Sequence, residues 1–185
     1  PPLACTLFPY TTLFRSSGPA ASACPEECGF AVADCAVPRL SEVISAALYD
    51  TEGACYGAVN ELAGQLQGLS EDGRLATYKA MLEAAPEDLT LEEAIELAGH
   101  AEGFALLRES GDDAGYARRE LERMTAQESD TGLEAFVDLH RYGRFLMEKD
   151  QIAATGYGLL EPLECRTVEQ CLGRDSPVQG GMEMK

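Results

Sequence analysis

The chain has 185 residues, of which 45% are hydrophobic and 7% aromatic, with no Trp, so its core must rest on Leu, Ala, Val and Ile. Thirty-two acids against fourteen Lys and Arg leave a formal net charge of −18, which repels nucleic acid and anionic membrane and attracts basic surfaces. No apolar run approaches the roughly 18 residues that cross a bilayer, and no basic-then-apolar leader opens the chain, so a cytoplasmic location is expected.

The first residues do not look like the rest. Thr6–Ser16 (TLFPYTTLFRS) resembles a translated sequencing-adapter remnant, and residues 17–27 are small, polar and Pro-containing, as in a linker. Residues 1–27 are therefore expected to be disordered or artefactual. An acidic, α-rich domain is expected over 28–163, and a disordered tail over 164–185.

Gly29–Val37 is an apolar stretch bounded by Gly and Pro, as in a short strand. From Leu40 to Tyr49 the apolar residues Leu40, Val43, Ile44, Ala47 and Leu48 recur at three and four, the spacing of a helix face, with Ser41 placed to cap it. Val59, Leu62, Ala63, Leu66 and Leu69 repeat that spacing. Leu75, Tyr78, Met81, Leu82 and Ala85 do so again before Pro86. Thr90 and Glu93 form a capping-box pair ahead of a helix bearing Leu91, Ile95, Leu97 and Ala98, which Gly103 is expected to end, with a short strand at Phe104–Leu107 after it.

Asp112 or Asp113 is placed to cap a helix that turns Tyr116, Ala117, Leu121 and Met124 inward. Thr131 and Glu134 form a second capping pair before a helix with Phe136, Val137, Leu139, Tyr142, Phe145 and Leu146 inside. Ile152–Leu160 suits a closing strand. The expected class is α+β, predominantly α, with several short amphipathic helices and a few short strands.

The charge is not evenly spread. Residues 49–134 carry twenty acids and six bases, net −14, and the flanking segments carry net −2 each. The acids concentrate at Glu83, Glu87, Asp88, Glu92, Glu93, Glu96, Glu102, Glu109, Asp112 and Asp113, and no base lies between Lys79 and Arg108. Glu92 and Glu96 sit one helical turn apart, where like charges cost a few tenths of a kcal/mol. Solubility and first-turn helix-dipole preference account for part of such a surface. Mimicry of DNA, which presents roughly one charge per 1.7 Å of axis, is the sharper reading.

Chemical motifs are scarce. His100-Ala-Glu102 matches half of a zinc-deaminase signature, but the downstream PCxxC is absent, and a helix C-terminal His is the simpler reading. His140, between Leu139 and Tyr142, suits a helix–helix contact more than a general base. The seven cysteines (Cys5, Cys24, Cys28, Cys35, Cys55, Cys165 and Cys171) are odd in number and irregular in spacing, as expected of reduced thiols. Cys24, Cys28, Cys35 and Cys55 match no zinc-ribbon spacing. Arg118, Arg119 and Arg123 interrupt the acids on one helix and suit surface pairs with Glu120 or Glu122, or a contact within or between chains. No metal, no cofactor and no catalytic group are expected.

Five phrases carry a family likeness: YGAVNELAGQLQGL (Tyr56–Leu69), ATYKAMLEA (Ala76–Ala84), LEEAIELAGHAEGF (Leu91–Phe104), LHRYGRFLMEKD (Leu139–Asp150) and TGYGLLEP (Thr155–Pro162). In this order they resemble the ArdA-like antirestriction proteins of Firmicutes mobile elements. The likeness spans roughly residues 30–163, and its motifs are helix-face patterns. It implies an acidic, elongated, dimeric mimic of DNA that occupies the basic DNA-binding surface of a type I restriction–modification enzyme. Beside three-domain members the chain is short on its N-terminal side. The ten acids from Glu83 to Asp113 would be the partner-binding surface. The other reading is a non-catalytic helical interaction module of a mobile element, unrelated to restriction. An enzyme using His140 or the cysteines ranks last.

Overall fold

A computed structural model describes residues 6–7, 12–13, 37–50, 56–125, 136–164 and 166–174. Near the N-terminus, β1 (Thr6–Leu7) pairs antiparallel with β2 (Thr12–Leu13), so part of the segment expected to be structureless carries a small ladder. The strand expected at Gly29–Val37 and the thiols Cys24, Cys28, Cys35 and Cys55 lie outside the described residues, except for Val37.

Four helices form the first layer: α1 (Pro38–Asp50), α2 (Tyr56–Glu71), α3 (Leu75–Ala84) and α4 (Leu91–Gly99). Proline's missing N–H and fixed φ suit the first position of α1, so Ser41 falls inside the first turn and is not the cap. The apolar spacing of the sequence becomes burial. Leu40, Val43 and Ile44 of α1 and Val59, Leu62, Ala63, Leu66 and Leu69 of α2 are all buried. Helix α3 is the innermost element, touching α2, α4 and three strands, with Tyr78, Ala80 and Met81 fully enclosed. The phenol that this burial strands is satisfied, because Tyr78 donates to the Ala94 carbonyl at 2.9 Å.

The turn Ala101–Gly103 leads from α4 into β3 (Phe104–Leu107). Strands β4 (Ala153–Thr155) and β5 (Gly158–Pro162) complete an antiparallel sheet of order β3-β5-β4, with Phe104 opposite Pro162 and Ala153 opposite Leu160. One closing strand was expected over Ile152–Leu160; the two-residue loop Gly156-Tyr157 folds it into a hairpin instead. Gly158, at φ +133°, lies so close to β3 that a Cβ would sit 2.8 Å from the Leu107 carbonyl oxygen.

Side chains alternate across a strand, and both faces of this sheet are covered. Phe104 and Leu160 join the core beneath α1–α4. Leu159 joins a smaller core with Tyr116, Leu146 and Ile152, packed under α5 (Asp113–Thr125) and α6 (Leu139–Lys149). The sheet is thus the shared floor of two helical layers.

Three helix-level expectations change here. Met124, expected inside, is 52% exposed. Thr131 and Glu134 lie outside the described residues, and α6 begins at Leu139 with Asp138 as its N-cap, its side chain accepting from the Arg141 N–H at 3.1 Å. Phe136 and Phe145 are consequently exposed, not internal. Past Glu164, where a disordered tail was expected, Thr167 and Gln170 form a capping box that opens α7 (Val168–Cys171). Val168 is buried in the main core, and Cys171 and Leu172 pack against it.

The α5–α6 contact is close enough that a Cβ at Gly143 would meet the Asp113 carbonyl oxygen at 1.8 Å. Gly143→Ala should therefore destabilise the protein by about 1–3 kcal/mol in denaturant unfolding. Gly64→Ala, on the open side of α2 with nothing within 4 Å of the added carbon, should stabilise it by about 0.5–1 kcal/mol. Equal effects at the two sites would contradict this packing.

Candidate interaction surface

The ten acids occupy distinct structural settings, and those settings separate paired carboxylates from free ones. Glu83, at the end of α3, accepts the Gly156 N–H at 2.9 Å and so ties the β4–β5 turn to α3. The end of α3 is further held by Arg39 of α1, which donates to the carbonyls of Leu82, Glu83 and Pro86. The Leu82 and Glu83 carbonyls are among those that a helix terminus leaves without intrahelical partners.

Thr90 and Glu93 make the expected capping box at the start of α4. The Thr90 N–H donates to Glu93 at 2.9 Å and the Glu93 N–H to the Thr90 hydroxyl at 3.2 Å. Glu93 has a second role that no local window of sequence shows. Arg174, beyond α7, contacts both its oxygens at 2.7 Å and also reaches Asp88. Burial pushes the Glu93 carboxyl up, but the Thr90 N–H and Arg174 outweigh it and hold it below the usual carboxylate range. Hydrogen bonding to Arg174 likewise lowers Asp88.

Asp112 and Asp113 divide the capping of α5. Asp112 accepts the Gly115 N–H, three residues into the cap, at 2.8 Å, and Asp113 accepts the Ala114 N–H at 2.8 Å. His140 Nδ1 stands 2.7 Å from Asp113 Oδ1, and Arg144 lies 3.7 Å from the other oxygen. His140 thus lies at the α5–α6 contact as expected, but as an exposed ion-pair partner and not as a packed ring. Asp112, Asp113 and His140 bring ligand-type atoms within 4.8 Å of one another. A cation there would compete with Arg144 and with the positive end of the α5 dipole.

Glu87, Glu92, Glu96, Glu102 and Glu109 remain. All five are exposed. Glu92 and Glu96 stand one turn apart on α4, with Glu87 in the α3–α4 connection, Glu102 in the turn after α4 and Glu109 after β3. Half of the expected surface therefore has a structural partner, and half is exposed without one among the described residues.

The remaining candidates find ordinary places. His100 is the C-cap of α4, its N–H bonded to Leu97 O at 3.1 Å. Arg123 pairs with Glu120 at 2.8 Å, whereas Arg119 reaches Glu161 at 3.5 Å and lies over the Tyr116 ring. Cys171 is a half-buried thiol whose pKa burial raises, away from the thiolate form that reacts. A cleft of about 190 Å³ beside His100, Glu102, Arg166 and Cys171 is smaller than the roughly 300 Å³ at which small-molecule sites begin. Among the described residues, no helix is long and apolar enough to cross a membrane.

No protein-family model, curated protein or solved structure matches the chain.

The Asp113 hydrogen bond raises the His140 pKa above the usual imidazole value, with smaller pushes from Asp112 and Asp138, and the same bond lowers Asp113. The His140 contribution to stability is complete below the ordinary imidazole pKa and is lost as pH rises through the raised, folded value. The Asp113 contribution is present above the ordinary carboxyl pKa and is lost as pH falls through the lowered value. An NMR titration should place the His140 midpoint above about 6.5 and move it down in Asp113→Asn. A wild-type midpoint at or below the ordinary value would contradict the pair.

Proposed function

We propose that the chain is a non-catalytic, cytoplasmic antirestriction protein whose acidic surface occupies the DNA-binding groove of a type I restriction–modification enzyme. The observation that carries this reading is the set of five exposed carboxylates, Glu87, Glu92, Glu96, Glu102 and Glu109, left over after capping, ion pairing and a backbone hydrogen bond to Glu83 have used the other five. Structural need explains the paired acids. It does not explain why a chain already so negative keeps Glu92 and Glu96 unpaired among the described residues at one-turn spacing on α4, where like charges are destabilising, with Glu87 and Glu102 in the adjoining connections and Glu109 after β3.

The family resemblance supports the same reading. Its five phrases fall on α2, α3, α4 with the start of β3, α6, and the β4–β5 hairpin, so the likeness follows the frame that holds the acids. A basic groove shaped for a polyanion would gain by exchanging water for these carboxylates, with attraction that accelerates encounter as well as strengthening binding. Such attraction acts over a Debye length of about 10 Å at 0.1 M salt and about 3 Å at 1 M, so the interaction should weaken as salt rises.

Purified protein should protect unmodified DNA from a type I restriction enzyme at low salt and lose that protection as salt increases. Replacing Glu87, Glu92, Glu96, Glu102 and Glu109 together by Gln should weaken inhibition roughly tenfold, taking exposed charges at about 0.3 kcal/mol each. Absence of any effect on restriction or modification at low salt would overturn the proposal.

A further inference from the structure

Arg174 engages the acidic surface more completely than any other base described. Its Nε donates to Glu93 Oε1 and its Nη2 to Glu93 Oε2, each at 2.7 Å. Nη1 donates to Asp88 Oδ1 at 2.5 Å, and Nη2 also approaches the Asp88 carbonyl oxygen at 3.4 Å. Nη2 also lies 2.6 Å from Glu93 Oε1, so all three guanidinium nitrogens are used and both Glu93 oxygens are engaged. A lysine ammonium, a single point of charge, does not reproduce that arrangement.

The fork adjoins the free acids, since Asp88 and Glu93 are the chain neighbours of Glu87 and Glu92. The group that fills it is lightly tethered. Helix α7 has four residues and is anchored by buried Val168 with half-buried Cys171 and Leu172. Gly173, at φ +63°, turns the chain after α7, and the Arg174 N–H bonds back to the Glu169 carbonyl at 3.0 Å. The Arg174 side chain keeps 30% of its surface exposed, so it can leave the fork without unseating Val168.

We propose that α7 with Arg174 is an autoinhibitory strap: Arg174 holds the Asp88–Glu93 fork in cis, and a partner's arginine enters that fork only when Arg174 swings out. The strap rests on reading the acids as a surface for basic partners, but its test needs no restriction enzyme. While Arg174 occupies the fork, apparent affinity for an external guanidinium is reduced by the fraction of time the fork is open. The strap would also make the surface selective, because only a ligand able to replace a forked guanidinium recovers what Arg174 gives up.

The test measures binding of a short arginine peptide and a lysine peptide of equal length and charge to the full chain at low salt. Arg174→Gln should tighten arginine-peptide binding by about two- to fivefold, the range an exposed ion pair of ordinary strength can hold back. The lysine peptide should gain less. Arg166→Gln changes net charge equally from an exposed position near α7 and should give no such preference. Asp88→Asn with Glu93→Gln should abolish the arginine preference, and Gln at position 93 preserves the capping box. Circular dichroism confirms that each variant is folded. An Arg174→Gln chain that is folded yet binds the arginine peptide no more tightly overturns the strap. An equal gain for both peptides, or the same gain in Arg166→Gln, also overturns it by reducing the effect to net charge. Failure to inhibit a restriction enzyme would remove the antirestriction reading and leave the peptide result standing.

Discussion

Self-repulsion is the condition under which every element of this fold forms. A surplus of eighteen carboxylates favours expansion, so the helices that bear them must be held by contacts that owe nothing to charge. Helix α3 lies at the centre of that hold. Tyr78, Ala80, Met81 and Leu82 are enclosed between α2, α4 and the sheet, and their burial sets where α4 and its acids emerge. Each fully buried large side chain contributes roughly 1.5–3 kcal/mol, whereas each like-charge pair on a helix costs a few tenths. The aliphatic core therefore wins easily, and the acids are free to be placed for other reasons.

Those other reasons divide. Asp112 caps α5 locally, whereas Glu83, Asp88, Glu93 and Asp113 receive a backbone N–H or a basic side chain from a distant segment and so fix one element to another. Arg39, Arg144 and Arg174 make the corresponding moves from the basic side, at a helix end, across α5–α6 and from α7. In a chain with fourteen Lys and Arg, several go to structure in this way. Of the ten acids, the five that these contacts leave untouched are Glu92 and Glu96 on α4, Glu87 and Glu102 in the connections beside it and Glu109 after β3, and it is these that we read as the working surface. Arg174 stands at the boundary between the two groups, which makes it both a strut and a competitor.

Much of the frame was legible because aliphatic periodicity and burial have the same cause. The buried faces of α1 and α2 and the strand at Phe104–Leu107 follow from spacing alone, whereas α4 stops at Gly99, four residues before the Gly103 expected to end it, because a tighter turn takes over at Ala101–Gly103. The Thr90–Glu93 box was legible because both partners lie within one turn. Phe136 and Phe145 were not, since apolar character does not say which side of a helix meets a core when the helix start is misplaced. The β4–β5 hairpin was missed because Gly156 and Gly158 interrupt an apolar run that otherwise suits one strand. The Thr167–Gln170 pair did carry a capping signal for α7, masked by the weak periodicity around it. Arg174 lay beyond any local window, 81 positions from Glu93, and only the fold brings them together. The ten acids were found as a group, but their division into paired and free depended on those long-range partners.

The central claim is that the acid field has a structural half and a free half. Urea unfolding at low salt of two variants, each neutralising five carboxylates, tests it directly. Glu87, Glu92, Glu96, Glu102 and Glu109 changed to Gln should leave stability unchanged or raise it, because repulsion is relieved and no partner is lost. Changing Glu83, Asp88, Glu93, Asp112 and Asp113 to their amides should lower it, because the ion pairs of Asp88, Glu93 and Asp113 are broken despite the same change in net charge. Equal shifts in the two variants, or a loss confined to the first, would contradict the account.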